Sequence, residues 1–166
     1  MNNSTKNSFE ALKQEVSCLH LSTMTSEGKP NSSYAPFVLD AEGNFYIFVS
    51  GLASHTQDLL ANPLLSILLM RDEQDTRQIF ARQRASYQCD VEVVSNNDSE
   101  YTTILDQLEK RFGNVVELLR SLPDFILFRL KPYKGQFVMG FGKAYTLTGK
   151  GLQDLEHINP AQDVQE

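Results

Sequence analysis

Three short stretches hold the residue types that bind anions. Ser54-His55-Thr56-Gln57 opens a predicted helix, with Ser54 and Gln57 at capping-box spacing. A helix N-terminus offers free N–H groups and the positive end of the macrodipole, so it attracts phosphate. Here Ser54, His55 and Thr56 add side-chain donors, although the same residues also make an ordinary cap. Arg82 and Arg84 are two apart, which on a strand turns both guanidiniums to one face. They repel each other unless an anion or a carboxylate lies between them, and guanidinium suits bidentate contact with either. Asp90 and Glu92, on the same predicted face, are the alternative partners. Gly140-Phe141-Gly142 brackets an aromatic with glycines, the pattern of a bulge, a bent hairpin or a close approach by another group. Of the two histidines outside these motifs, His20 alternates into a strand and reads as structural. His157 lies beside Asp154 and Glu156; a tail imidazole can ligate haem iron and is also commonly just solvated. HExxH, CxxC, P-loop and GxGxxG patterns are absent, and spacing identifies no catalytic residue and no metal cluster.

The elements that must position these residues are mostly strands. Met1–Asn7 is polar and the first eight residues are expected to be disordered, followed by a short helix with Phe9, Leu12 and Val16 on one face. Leu19–Thr25, Ser32–Leu39 and Phe45–Ser50 read as a meander joined by turns at Gly28 and Gly43. Pro36 cannot donate to a ladder, so the second strand is irregular there or at an edge. The helix from Ser54 stops before Pro63, and Leu64–Met70 is a buried strand. Gln78–Val94 alternates as one long strand. One face carries Ile79, Ala81, Ala85, Tyr87, Cys89, Val91 and Val93, the other Arg82, Arg84, Ser86, Gln88, Asp90 and Glu92. Ser99–Phe112 has the clearest helical stripe and is stopped by Gly113. A short helix capped by Asn114 follows, then strands at Phe125–Leu130, Gln136–Met139 and Lys143–Leu147, with Lys131–Gly135 as a turn. Six or seven strands, mostly antiparallel, with flanking helices are best accommodated by a closed or split barrel.

The chain has 166 residues, enough for one domain and its own core. Fifteen Lys and Arg against 21 Asp and Glu give a formal net charge of −6, which speaks against a nucleic-acid-coating surface. No apolar run approaches a membrane span and the start lacks a signal-peptide core. A cytoplasmic protein with Cys18 and Cys89 reduced is the expectation.

Taken in order, these segments resemble a known family. Ser33-Tyr34-Ala35-Pro36-Phe37, His55-Thr56 opening a helix that ends at Asn62-Pro63, Phe80-Ala81-Arg82-x-Arg84, Arg111-Phe112-Gly113, Asp124-Phe125 and Phe137-x-x-Gly140-Phe141-Gly142-x-Ala144-Tyr145 occur in this order in haem-utilisation, HugZ-type proteins. These are similar in fold to pyridoxamine 5′-phosphate oxidase. The resemblance covers roughly residues 9–158, the domain, and leaves 159–166 as a polar tail. It implies a mainly β, six-stranded FMN-binding split barrel with flanking helices, a homodimer with the cofactor site at the subunit interface and a small-molecule ligand. In flavin-using relatives the FMN phosphate is held by basic and hydroxyl residues. The matching candidates here are Ser50, Ser54, His55, Thr56, Arg82 and Arg84, with Ser33, Tyr34 and Ala35 of the second strand. Those relatives usually carry a Lys in the first helical turn; this chain reads His55-Thr56-Gln57, one formal charge fewer. In haem-degrading relatives a histidine near the C-terminus ligates iron, supported by the acidic residue of the Asp-Phe motif. Asp124 matches that residue and His157 has a counterpart nearby, but the position aligned with the ligand is Gln162. The expected function is therefore an FMN-dependent oxidoreductase, with a haem-binding or haem-degrading protein as the alternative and a ligand-free dimer third.

Overall fold

Alternation builds one curled sheet, described over residues 3–158 by a computed structural model. The chain runs α1 (Asn3–Glu15), β1 (Cys18–Met24), β2 (Pro30–Pro36), β3 (Val38–Leu39), β4 (Phe45–Ser50), α2 (Ser54–Ala61), β5 (Leu64–Met70) and β6 (Arg84–Val93). It continues through α3 (Ser99–Phe112), α4 (Val115–Arg120), β7 (Phe125–Gly140), β8 (Lys143–Thr148) and β9 (Asp154–His157). All strand pairs are antiparallel, in the order β2-β1-β5-β6-β7-β4-β3, with β8 beside β7 and β9 beside β8.

Among the described residues the sheet has nine strands rather than six. Two expected elements change, one joined and one divided, and β9 is added. Lys131–Gly135 is not a turn: β7 is a single strand of 16 residues. Its first half pairs with β4 and its second with β8. A register shift opposite Gln88 and Cys89 leaves Tyr133 as the extra residue of a bulge, which absorbs the Pro132 that cannot donate. The stretch from Pro30 to Leu39 changes partner at Phe37, pairing with β1 before it and β4 after it. This break, at the position where Pro36 interrupts the ladder, bends one segment onto both ends of the strand order and curls the sheet into a split barrel.

The inner face is apolar, as the periodicity requires. Leu19, Leu21, Ile67, Leu69, Ala85, Tyr87, Cys89 and Phe137 are buried there. The helix at the N-terminus is longer than expected and begins at Asn3, within the segment expected to be disordered. Thr5, Phe9 and Leu12 share its buried face, and the Phe9 ring packs 5.1 Å from that of Phe137. Ser99–Phe112 and the short helix after it cover Tyr46 and Leu127 in a second cluster. Gly113 has a positive φ of 82° and ends α3 as anticipated.

The predicted strand Gln78–Val94 is shortened. Ile79–Ala81 forms one 3-10 turn and the strand starts at Arg84. Ile79 is therefore half exposed, as is Val93 at the other end, while Ala85, Tyr87, Cys89 and Val91 keep the inward face expected of them. Cys18 and Cys89 are free. Cys89 is buried and its thiol is pushed up to about 12 by desolvation. No helix among the described residues is long and apolar enough to cross a membrane.

Candidate functional site

The predicted site residues fall into two groups at different places on the sheet. The first surrounds the start of α2. The N-cap is Ala53, not Ser54, and no side chain caps the helix. The Ser54 hydroxyl instead accepts from the Asn31 amide at 3.2 Å, and Gln57 donates to the Gly51 carbonyl at 2.6 Å. Thr56 is fully buried and donates to the Ser50 carbonyl at 2.7 Å. The Ser50 hydroxyl donates to Asp124 at 2.6 Å, and the Gly51 amide donates to the Asp124 carbonyl. Gly51 is required by this approach, since a Cβ there would lie 2.8 Å from that carbonyl oxygen. Ser50, Ser54, His55, Thr56 and Asp124 are thus brought together as one cluster.

Asp58 is the residue of this group that sequence reasoning missed. It is buried, accepting from Thr23 of β1 at 2.6 Å and from Asn31 of β2 at 2.8 Å. These two hydrogen bonds hold its carboxyl below the usual aspartate value. Spacing alone did not single it out: on a helix Asp58 shares a side with Ser54 and His55, four and three residues earlier, and nothing there marks the strands it meets. Two polar atoms of the described residues lie buried without any partner, Ser33 Oγ and His55 Nε2. Both are predicted site residues. Burial lowers the His55 pKa and favours its neutral form, opposed by the nearby Asp58 charge. Ala35 is buried on the inner face.

The second group lies on the outer face of the sheet. Tyr34, His20, Leu68, Ser86 and Gln136 form one cross-strand row, opposite in direction to the buried row that holds Leu21, Ile67 and Tyr87. Arg84 pairs with Met70 two residues along and faces the same way as Ser86. Arg82 precedes the strand, so the alternation that placed it beside Arg84 does not apply to it. It lines a cleft of about 240 Å³ with Cys18, His20, Met70 and Arg71. Glu73 lies 3.7 Å from Arg82. Arg84 has no carboxylate partner among the described residues and donates to the Arg82 carbonyl at 3.0 Å. Asp90 and Glu92 are therefore not its partners; Glu92 pairs instead with Arg129 and Lys131.

Within one chain the two groups stand at different levels of the sheet. Ser22, Ser66 and Gln88 form one row. Thr23, which anchors α2, is one step to one side of it, and Arg84 is four steps to the other. Five residues of strand separate the levels by about 17 Å. His157 belongs to neither group. It pairs with Tyr145, in the inner-face row of Phe137, and its Nε2 lies 3.1 Å from the Gly142 carbonyl. Gly142 has a positive φ of 65°, which glycine allows in the turn between β7 and β8, and Phe141 at its tip is exposed.

The donor set fits an anionic, largely apolar cofactor in part. A planar ring with carboxylate arms needs a cation free to pair and an exposed imidazole or thiolate for a central metal. Arg84 meets the first need on the outer face, whereas the cleft that holds His20 and Cys18 also carries Glu15, Asp72 and Asp75. A phosphate needs unclaimed donors; Ser33 Oγ and His55 Nε2 are unclaimed, and both are enclosed.

Residues 5–139 match the family model described as pyridoxamine 5′-phosphate oxidase. The chain is 39% identical over 150 residues to heme oxygenase HutZ of Vibrio cholerae, covering 90% of this chain and 85% of that protein. It is 33% identical over 137 residues to the non-canonical heme oxygenase HOZ, chloroplastic, of Arabidopsis thaliana, spanning 80% of this chain and 40% of that protein. The crystal structure of Campylobacter jejuni ChuZ superposes with a TM-score of 0.86 at 25% identity, over all of this chain and 67% of that one. The pattern of an open-edged curled sheet, an α2 start bound to Ser50 and Asp124, and identity across nearly the whole domain leads to one assignment: the chain belongs to the pyridoxamine 5′-phosphate oxidase family, in its haem-utilisation branch.

Proposed function

We propose that this protein binds haem and acts in haem utilisation, as a haem oxygenase-type protein that works as a homodimer. The observation that carries the reading is the 39% identity to a heme oxygenase over 90% of the chain. This replaces the FMN oxidoreductase as the leading expectation. Haem, when bound, supplies a redox-active iron within a ring that is itself the material degraded. The chain's own contribution is to hold the ring: Arg84, and Arg82 once released from Glu73, pair with the carboxylate arms. Asp124 and Ser50 supply an oriented acid–hydroxyl pair at the other group.

Two separate half-sites in one chain support a site completed by a second copy. In a twofold dimer the α2 end of one protomer meets the arginine end of its partner, and the contact repeats. The outer sheet face offers the surface for this, because Met24, Tyr34, Leu64 and Tyr133 are all more than half exposed on it or at its margin.

FMN remains the second reading because of the two orphaned donors at Ser33 and His55. The absorption spectrum of the purified protein, followed by titration with ferric haem, separates the two. A Soret band that saturates at one haem per protomer is expected. Flavin bands without haem uptake would overturn the proposal in favour of FMN. In the Arg82→Ala, Arg84→Ala double variant, ligand retention should fall at least about tenfold with little change in unfolding; unchanged retention removes the arginines from the site.

A further inference from the structure

We propose that the outer sheet face carries a second binding site, for a small carboxylate with an apolar body, which does not rest on the haem reading. Two clefts adjoin on that face. One, of about 240 Å³, is apolar and lined by Met24, Leu64 and Tyr133. The other, of about 230 Å³, is lined by the polar side chains of Ser86, Lys134 and Gln136. Ser66 and Gln88 belong to both, so the two clefts form one groove. It runs along β5 and β6 from the level of Leu64 to that of Ser86, which is opposite Leu68, roughly 13 Å by strand rise.

The bulge in β7 gives the groove its two characters. In a regular strand consecutive side chains point to opposite faces, so an aromatic ring and an ammonium next to each other would be separated by the sheet. The extra residue opposite Gln88 and Cys89 breaks that alternation. Tyr133 and Lys134 are both exposed as a result, the ring in the apolar cleft and the ammonium in the polar one. Lys134 has no ion-pair partner among the described residues, since Glu92 is taken by Arg129 and Lys131. No carboxylate lines either cleft. The side chains of Ser66, Ser86, Gln88 and Gln136 make no hydrogen bond to other described residues, which leaves neutral donors around the ammonium. Asp90, the next outward residue of β6 past Gln88, stands at the apolar end opposite Leu64. An anionic head is therefore drawn to Lys134 and kept from the Asp90 end, with its hydrocarbon part lying over Leu64, Met24 and Tyr133. Read as a turn, Lys131–Gly135 gives no hint of this; the bulged strand creates it.

The test is titration of the full chain, without haem, with octanoate, 1-octanol and octylamine, followed by calorimetry. The three probes share a tail and differ in the charge of the head. Octanoate should saturate at one per chain and bind more tightly than either of the others. Lys134→Met should weaken octanoate by about tenfold, the loss of one charge-assisted contact, and leave 1-octanol unchanged. Circular dichroism melts of Lys134→Met report that the fold is kept. Octanoate that fails to saturate by about 10 mM, that binds no better than octylamine, or that binds Lys134→Met as well as wild type overturns the site. The homodimer reading sets a second copy against this same face, so bound octanoate competes with the partner. Sedimentation at saturating octanoate should shift wild type toward the monomer; an intact dimer with octanoate bound keeps the site and moves the subunit contact elsewhere.

Discussion

At the scale of single residues, Asp58 fixes the start of α2 to the sheet. One carboxylate ties α2 to β1 through Thr23 and to β2 through Asn31. Hydrogen bonds to charged acceptors contribute about 1.5–3 kcal/mol each, so Asp58→Ala should cost about 3 kcal/mol in urea unfolding at pH 7. The pH dependence has a definite sign. The folded-state pKa is below the ordinary value of 3.8. Its stabilisation is therefore complete above that value and is lost as pH falls through the lower folded value. Asp58→Asn should lower stability at neutral pH and flatten the acid limb of the stability curve below about pH 4. An acid limb identical to wild type would remove Asp58 from that role. The anion-binding residue types were legible in the sequence; Asp58 was not, because nothing in spacing tells which strand a helical carboxylate will meet.

At the scale of elements, Arg111 joins three that are distant in sequence. Its guanidinium donates to the carbonyls of Phe37, Gln14 and Val16 at 3.0, 3.3 and 2.7 Å. It also lies 4.8 Å over the Phe37 ring. The end of α1, the partner switch between β2 and β3 and the end of α3 are thereby fixed together. Burial lowers its pKa, yet it stays charged. Arg111→Ala leaves three carbonyls without that donor and should destabilise by about 3 kcal/mol in thermal or urea unfolding. Arg111→Lys should recover less than half, since a compact ammonium lacks the planar fork. Full recovery by lysine would show that charge alone matters here. The sequence marked this position only as part of Arg111-Phe112-Gly113, where Gly113 as a helix stop was readable and the arginine's reach was not.

At the scale of the whole molecule, the proposed homodimer can be tested on the outer sheet face. The outer face of β1, β5 and β6 mixes Ser22, Ser66 and Gln88 with exposed Met24 and Leu64. One apolar cleft on it, about 240 Å³, is lined by Met24, Leu64, Gln88 and Tyr133. In the proposed dimer a carboxylate buried at such a contact has no compensating partner, so Leu64→Glu should give a monomer in sedimentation analysis where wild type gives a dimer. It should also weaken ligand binding while leaving the unfolding of the monomer close to wild type. A dimer that persists in Leu64→Glu places the subunit contact on another face.

The sequence by itself determined the local character of the chain. Alternation set which residues of β1, β5 and β6 face inward, because side chains on a strand have a period of two whatever they pack against. Glycines at positions 28, 43 and 113 marked turns and a helix end through a local backbone requirement, and all three have positive φ. Tertiary structure decided what depends on register and on a third neighbour. It made Lys131–Gly135 part of a bulged strand, moved Arg82 off the strand that Arg84 begins, and set Ser50 against Asp124. It also turned His20 outward beside Tyr34 and separated the α2 cluster from the arginines. Those outcomes follow from pairings between segments tens of residues apart, whose free energies are summed over the sheet and are not written in any one stretch of sequence.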